Sequence, residues 1–120
     1  MQAFIAGEFR RLVNTCTWSW QGWCAAWVSE KSIRQWSVIN VLSGVLAFSL
    51  DLTAGERALI VAMGLLVLAA ELVNTAIEEI VDHISPDRHP FAKKAKDCGS
   101  ACVALTAFAG AAAWLVILLG

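Results

Sequence analysis

Residues 98–120 form an unbroken run of 23 positions without a charged side chain. A helix of that length and character matches the roughly 20 residues needed to cross a bilayer. A soluble domain of this size has no core large enough to hide it. The whole chain points the same way. Its 120 residues are 58% hydrophobic and 16% charged, more apolar and less charged than an average soluble domain. One domain over 1–120 is expected at this length, with the membrane as its solvent. A net charge of −1 argues against a nucleic-acid partner, because phosphate binding needs a basic face.

A second apolar run ends differently. Residues 58–70 carry no charge, and then ELVNTAIEEIVD follows over 71–82. Glu71, Asn74 and Glu78 stand at i, i+3 and i+7, which places them on one helical face, and Asp82 continues it. The thirteen uncharged residues cover only about 20 Å at a rise of about 1.5 Å per residue, less than the roughly 30 Å of hydrocarbon. The span must therefore include Glu71. A carboxylate held at that depth is costly and defaults to a functional role.

Taken in order, the chain begins with an amphipathic helix over 2–28, with Phe4, Phe9, Leu12, Trp20 and Trp27 recurring at helical spacing. Four tryptophans between 18 and 27 suit the membrane interface, so this helix is expected to lie in the bilayer surface. MQAFIAGEFRR lacks the apolar core of a signal peptide. A first span is expected at 32–50. A turn follows, with Thr53 or Asp51 as N-cap, and a second span at 56–82. Residues 83–94 form a polar connection in which Pro86 and Pro90 disfavour helix. The last span is expected at 96–119, and its small residues AFAGAAA allow close helix approach. Cys16, Cys24, Cys98 and Cys102 lack metal-ligand spacing and read as small hydrophobes.

Four Lys or Arg precede span one (Arg10, Arg11, Lys31, Arg34), one (Arg57) separates spans one and two, four (Arg88, Lys93, Lys94, Lys96) precede span three, and none follows it. The positive-inside rule puts the amino terminus and the proline-containing loop in the cytoplasm. Glu30, Glu71, Asn74, Glu78, Lys96 and Asp97 then share the inner leaflet. Carboxylates with an amide oxygen suit Mg²⁺, which takes one or two carboxylates plus substrate phosphates. A neighbouring lysine suits a phosphate, and a deeper carboxylate suits a general base toward a hydroxyl. Together they sketch phosphoryl transfer from a soluble nucleotide to a lipid alcohol. Glu79, His83 and His89 read as solvated surface. No GxxxxGK[ST], GxGxxG, HRD or DFG signature is present. From the residues alone, a non-enzymatic ion pathway or structural subunit with an intramembrane acid stays open beside the enzyme.

ELVNTAIEEIVD, AKDCGSA and WQGWCAAWVSE closely resemble the motifs of the prokaryotic diacylglycerol kinase family, in matching order and spacing from about Phe9 to the last span. The resemblance implies an all-α membrane protein of the bacterial inner membrane, a homotrimeric helical bundle with one surface helix and three transmembrane helices per subunit. It implies transfer from Mg-ATP to diacylglycerol, giving phosphatidic acid, at sites between neighbouring subunits. It further implies roles by position. Glu71 resembles the general base, Glu30 and Glu78 the Mg-ATP carboxylates, and Asn74 the supporting site amide. Arg11, Trp18, Asp87, Arg88, His89, Lys96 and Asp97 match nucleotide-contacting positions. Ser100 and Arg57 match lipid-side positions. Trp18 stands where the family often has tyrosine, and Asn14 where lysine is frequent. Pro90 after His89 is similar to the undecaprenol kinase branch, whereas AKDCGSA and CAAW are similar to the diacylglycerol branch.

Overall fold

Helix α1 (Gln2–Ser29) passes into α2 (Lys31–Ser49) through a single extended residue, Glu30, at φ −100° and ψ 115°. Helices α3 (Ala54–Ile84) and α4 (Pro90–Leu119) complete the chain, and no strand occurs among the described residues. The computed structural model describes residues 1–120, the side chains of Gln2 and Ala3 excepted.

Local chemistry sets each junction. At the α1–α2 elbow, the Glu30 amide closes α1 on the Ala26 carbonyl at 2.8 Å, and the Arg34 guanidinium donates to the carbonyls of Trp27 and Val28. A cation there satisfies carbonyls that α1 leaves orphaned. At the next turn, Thr53 and Glu56 form a reciprocal capping box. Arg57, one residue further, donates to the carbonyls of Ala47 and Leu50, each at 3.1 Å, and so closes the end of α2.

The third junction corrects the expected long loop over 83–94. α3 runs on to Ile84, and α4 starts at Pro90, leaving residues 85–89 as the connection. Proline breaks a helix interior but suits its first position, where the missing N–H would be unpaired and φ is already helical. His89 serves as N-cap, its Nδ1 accepting from the Phe91 amide at 3.2 Å.

α2 and α3 pack antiparallel, with polar contacts in constant register: Ser32 to Glu71, Asn40 to the Gly64 carbonyl, and Arg57 to the Ala47 carbonyl. α4 returns along α3, with Gly99 against Asn74 and Gly110 against Met63. Its Trp114 reaches α2, donating to Ser43 Oγ at 2.8 Å. At Gly64 and Gly99 an added Cβ would collide with Asn40 and Asn74 respectively. Each asparagine thus fills the space that its facing glycine leaves open.

The interior is a narrow seam that includes Ile33, Ala47, Ile60, Val67, Ala70 and Val103, and Ile33 is the one large side chain fully buried among the described residues. Large apolar groups such as Leu42, Phe48, Leu65, Phe108 and Val116 point outward. Water is a poor solvent for such a surface, and a helix apolar on all sides belongs in a core or a bilayer. α3 and α4 are long and apolar enough to cross a membrane; α2, carrying Lys31, Arg34, Gln35 and Asn40, is not by the same measure. Residues 4–22 of α1 are all exposed, so among the described residues α1 meets the other helices near its C-terminal end. The molecule measures 52 × 46 × 23 Å, about two helices thick.

Candidate active site

The face of α3 at 71, 74 and 78 turns toward the start of α2 and the first turns of α4. Glu71 is 5% exposed, the one buried charged side chain among the described residues. Its Oε2 accepts from Ser32 Oγ at 3.0 Å. No Lys, Arg or His forms an ion pair with it among the described residues. A buried carboxylate with one hydroxyl partner and no countercharge is expensive to maintain, so packing alone does not explain it.

One turn along, Asn74 Nδ2 donates to Glu78 Oε1 at 3.3 Å. Asn74 Oδ1 is buried without a partner, lodged against the bare Cα of Gly99. Glu30, at the α1–α2 elbow, completes the acidic wall. Glu30, Ser32, Trp36, Glu71, Asn74, Glu78 and Ser100 line one open groove of about 420 Å³. Three carboxylates share it, and no basic residue lines it.

A second groove, about 670 Å³, lies at the α3–α4 connection, lined by Asp82, Asp87, Arg88, His89, Lys93, Lys96 and Asp97 among others. Lys96 of α4 bridges to Asp82 of α3 at 2.9 and 3.1 Å, and Lys93 pairs with Asp97 one turn away. Asp82 continues the Glu71–Glu78 face of α3, about 6 Å beyond Glu78. The two grooves therefore follow one another along the same pair of helices, one acidic and one with basic groups.

Of the residues singled out from the sequence, Glu30, Glu71, Asn74, Glu78 and Ser100 meet in the acidic groove. Asp87, Arg88, His89, Lys96 and Asp97 meet in the second. Arg11 and Trp18 sit on the exposed stretch of α1 and line neither groove. Arg57 lies fourteen positions before Glu71, about 21 Å along α3, and is occupied by the carbonyls of α2 and the ring of Phe48. Ser32, Trp36 and Gly99 escape a sequence reading. Ser32 lies at the mouth of a span with no motif around it, Trp36 reads as an interfacial anchor, and Gly99 shows its purpose only once Asn74 faces it.

No three His, Cys, Asp or Glu side chains converge as a metal cage among the described residues. The donors present fit a different mode of binding. Two carboxylates on separate elements, Glu30 and Glu78, with the unpartnered Asn74 Oδ1 nearby, are hard oxygen groups suited to Mg²⁺ that completes its shell with phosphate and water. A groove with three acids and no base would repel a polyphosphate arriving without such a cation.

Comparison with known proteins bears on this geometry. The family model for prokaryotic diacylglycerol kinase matches residues 17–118. A diacylglycerol kinase of Pseudomonas aeruginosa is 46% identical over 113 residues, covering 92% of this chain and 90% of that protein. The diacylglycerol kinase of Escherichia coli K12 is 36% identical over 110 residues, with the same coverage. That of Haemophilus influenzae is 38% identical over 92 residues, 77% of this chain and 78% of the relative.

Proposed function

The chain belongs to the prokaryotic diacylglycerol kinase family, and from that premise we propose that it carries a phosphoryl group from Mg-ATP to the free hydroxyl of diacylglycerol, with Glu71 as general base. Diacylglycerol kinase activity follows from the family and its relatives. The single observation that carries the mechanism is a buried, unpaired carboxylate at 71 sharing a groove with Glu30 and Glu78.

The chemistry then distributes as follows. Glu71 takes the proton from the lipid hydroxyl as that oxygen bonds to the γ-phosphorus. The bond from phosphorus to the β–γ bridging oxygen breaks, and ADP leaves with that electron pair. Glu71 later returns its proton to solvent. Glu30 and Glu78 would hold Mg²⁺, which when bound neutralises phosphate charge and orients the triphosphate. Lys96, Arg88 and His89 hold the remaining phosphates and the nucleoside from the second groove, with Asp87 and Asp97 orienting them. Asn74 keeps Glu78 in place by its amide. Positioning of this kind supplies much of the rate in phosphoryl transfer, where little covalent chemistry falls to the protein.

Membrane geometry supports the substrate assignment. We read α2 as the third span beside α3 and α4, with α1 lying in the inner leaflet surface. The amino terminus and residues 85–89 face the cytoplasm, following the distribution of Lys and Arg. The acidic groove is open, so a lipid can present its hydroxyl from the side while its tails stay in hydrocarbon. Arg11 and Trp18 reach a nucleotide only if a neighbouring subunit holds it, which fits a homotrimer with shared sites. Ser100 lies on the lipid side, and Arg57 meets lipid near the outer surface.

One assay tests the reading. Purified protein in detergent micelles receives radiolabelled ATP and Mg²⁺ with diacylglycerol, undecaprenol or glycerol. Phosphatidic acid is the expected product, with glycerol far slower because its missing tails no longer help place the hydroxyl. Preferred labelling of undecaprenol would replace the substrate. Equal labelling of glycerol would reject the lateral-access mechanism.

A further inference from the structure

Six of the thirteen Ser and Thr hydroxyls of this chain spend their hydrogen inside their own helix. Thr15, Thr17, Ser19, Ser37, Ser49 and Thr106 each donate to the carbonyl four residues back. Ser32 does not. It stands in the first turn of α2, so the carbonyl four residues behind it belongs to Val28 of α1, across the elbow, where Arg34 already donates. The Ser32 hydroxyl is left to reach across to α3, and it meets Oε2 of Glu71.

That contact is the one side-chain hydrogen bond made by Glu71 among the described residues. It engages one carboxylate oxygen and leaves Oε1 without a side-chain partner among the described residues, on a residue that lines the groove. A general base needs that division. One oxygen is held so that the carboxylate plane keeps its direction, and the other keeps a lone pair for the incoming proton at hydrogen-bond reach. The donor is set by the Glu30 break and the Arg34 clamp at the elbow.

We propose that Ser32 is a positioning residue for phosphoryl transfer, its hydroxyl holding Oε2 of Glu71 so that Oε1 faces the lipid hydroxyl. This rests on the reading of Glu71 as base. The role assigned to Ser32 is exerted through Glu71, so its loss reduces the rate of the chemical step and leaves binding of both substrates in place.

The test compares Ser32→Ala, Ser32→Thr and Ser32→Val, with Glu71→Gln as reference, in the full-length protein in detergent micelles. The readouts are kcat, KM for diacylglycerol, KM for ATP, and thermal unfolding. Ser32→Ala is expected to lower kcat roughly tenfold, the scale of one hydrogen bond to a charged group. Both KM values should stay within about twofold of the parent. Threonine restores kcat, while valine, which has its shape without the hydroxyl, stays as low as alanine. Unchanged kcat in alanine and valine, beside an inactive Glu71→Gln, overturns the positioning role and leaves the base intact. Substantial turnover by Glu71→Gln overturns the base itself. A rise in KM without loss of kcat, or a kcat that follows the unfolding temperature across all three Ser32 variants, also overturns the inference.

Discussion

Ser32 Oγ on α2 and Glu71 Oε2 on α3 lie 3.0 Å apart, although 39 positions separate them in the chain. The contact brings the proposed base to the elbow that carries Glu30, and so joins the two ends of the acidic groove. In Glu71→Gln an acceptor oxygen for Ser32 remains, so assembly and unfolding temperature should be preserved. Turnover should fall by at least about 10²-fold, the lower range for a general base. Labelled phosphatidic acid formation measures it, and a variant within tenfold of the parent rejects the assignment.

Gly99→Ala should damage the site without touching an acid. The new Cβ would collide with Asn74 Oδ1, and Asn74 supports Glu78. Overpacking of this kind costs about 1–3 kcal/mol, and activity should drop with it. Adding Asn74→Ala should recover much of the stability but not the activity, because the support of Glu78 stays lost. Independent, additive effects in this double-mutant cycle would mean that the two residues are not coupled.

Gly64→Ala makes the matching collision with Asn40, seven positions before Glu71 and about 10 Å from it along α3. Stability should fall by a similar ~1–3 kcal/mol, while kcat measured well below the unfolding temperature stays close to that of the parent. A selective loss of kcat would place Asn40 nearer to the chemistry than the grooves indicate.

Lys96→Ala separates structure from nucleotide binding. Lys96 and Asp82 keep 37% and 65% of their side-chain surface exposed, and an exposed ion pair contributes at most about 1 kcal/mol. Unfolding should therefore shift little, whereas KM for ATP should rise at least about tenfold if the lysine holds a phosphate. An unchanged KM for ATP removes Lys96 from the nucleotide site.

Much of the fold was legible because the membrane simplifies the problem. Long uncharged runs have few alternatives to a helix when every backbone group needs an internal partner. Asp51 and Thr53 both offered an N-cap through strictly local chemistry, and Thr53 is the one that caps α3, with Glu56 completing the box. Pro90 was misjudged for a local reason as well. Proline's effect on a helix changes sign between the interior and the first position, and nothing in residues 83–94 shows which applies until the N-cap, His89, is known.

Residues on one helical face could be grouped by spacing alone, and Glu71, Asn74 and Glu78 were. The sequence by itself determined a helical membrane chain with acids at one end of a long apolar helix, because periodicity and charge act over a few residues. Only the tertiary structure decided which partners those acids meet. Ser32 reaches Glu71, Gly99 makes room for Asn74, and Lys96 spans to Asp82 through the register of packed helices. That register depends on how side chains of different helices fit against one another, which no single stretch of chain encodes.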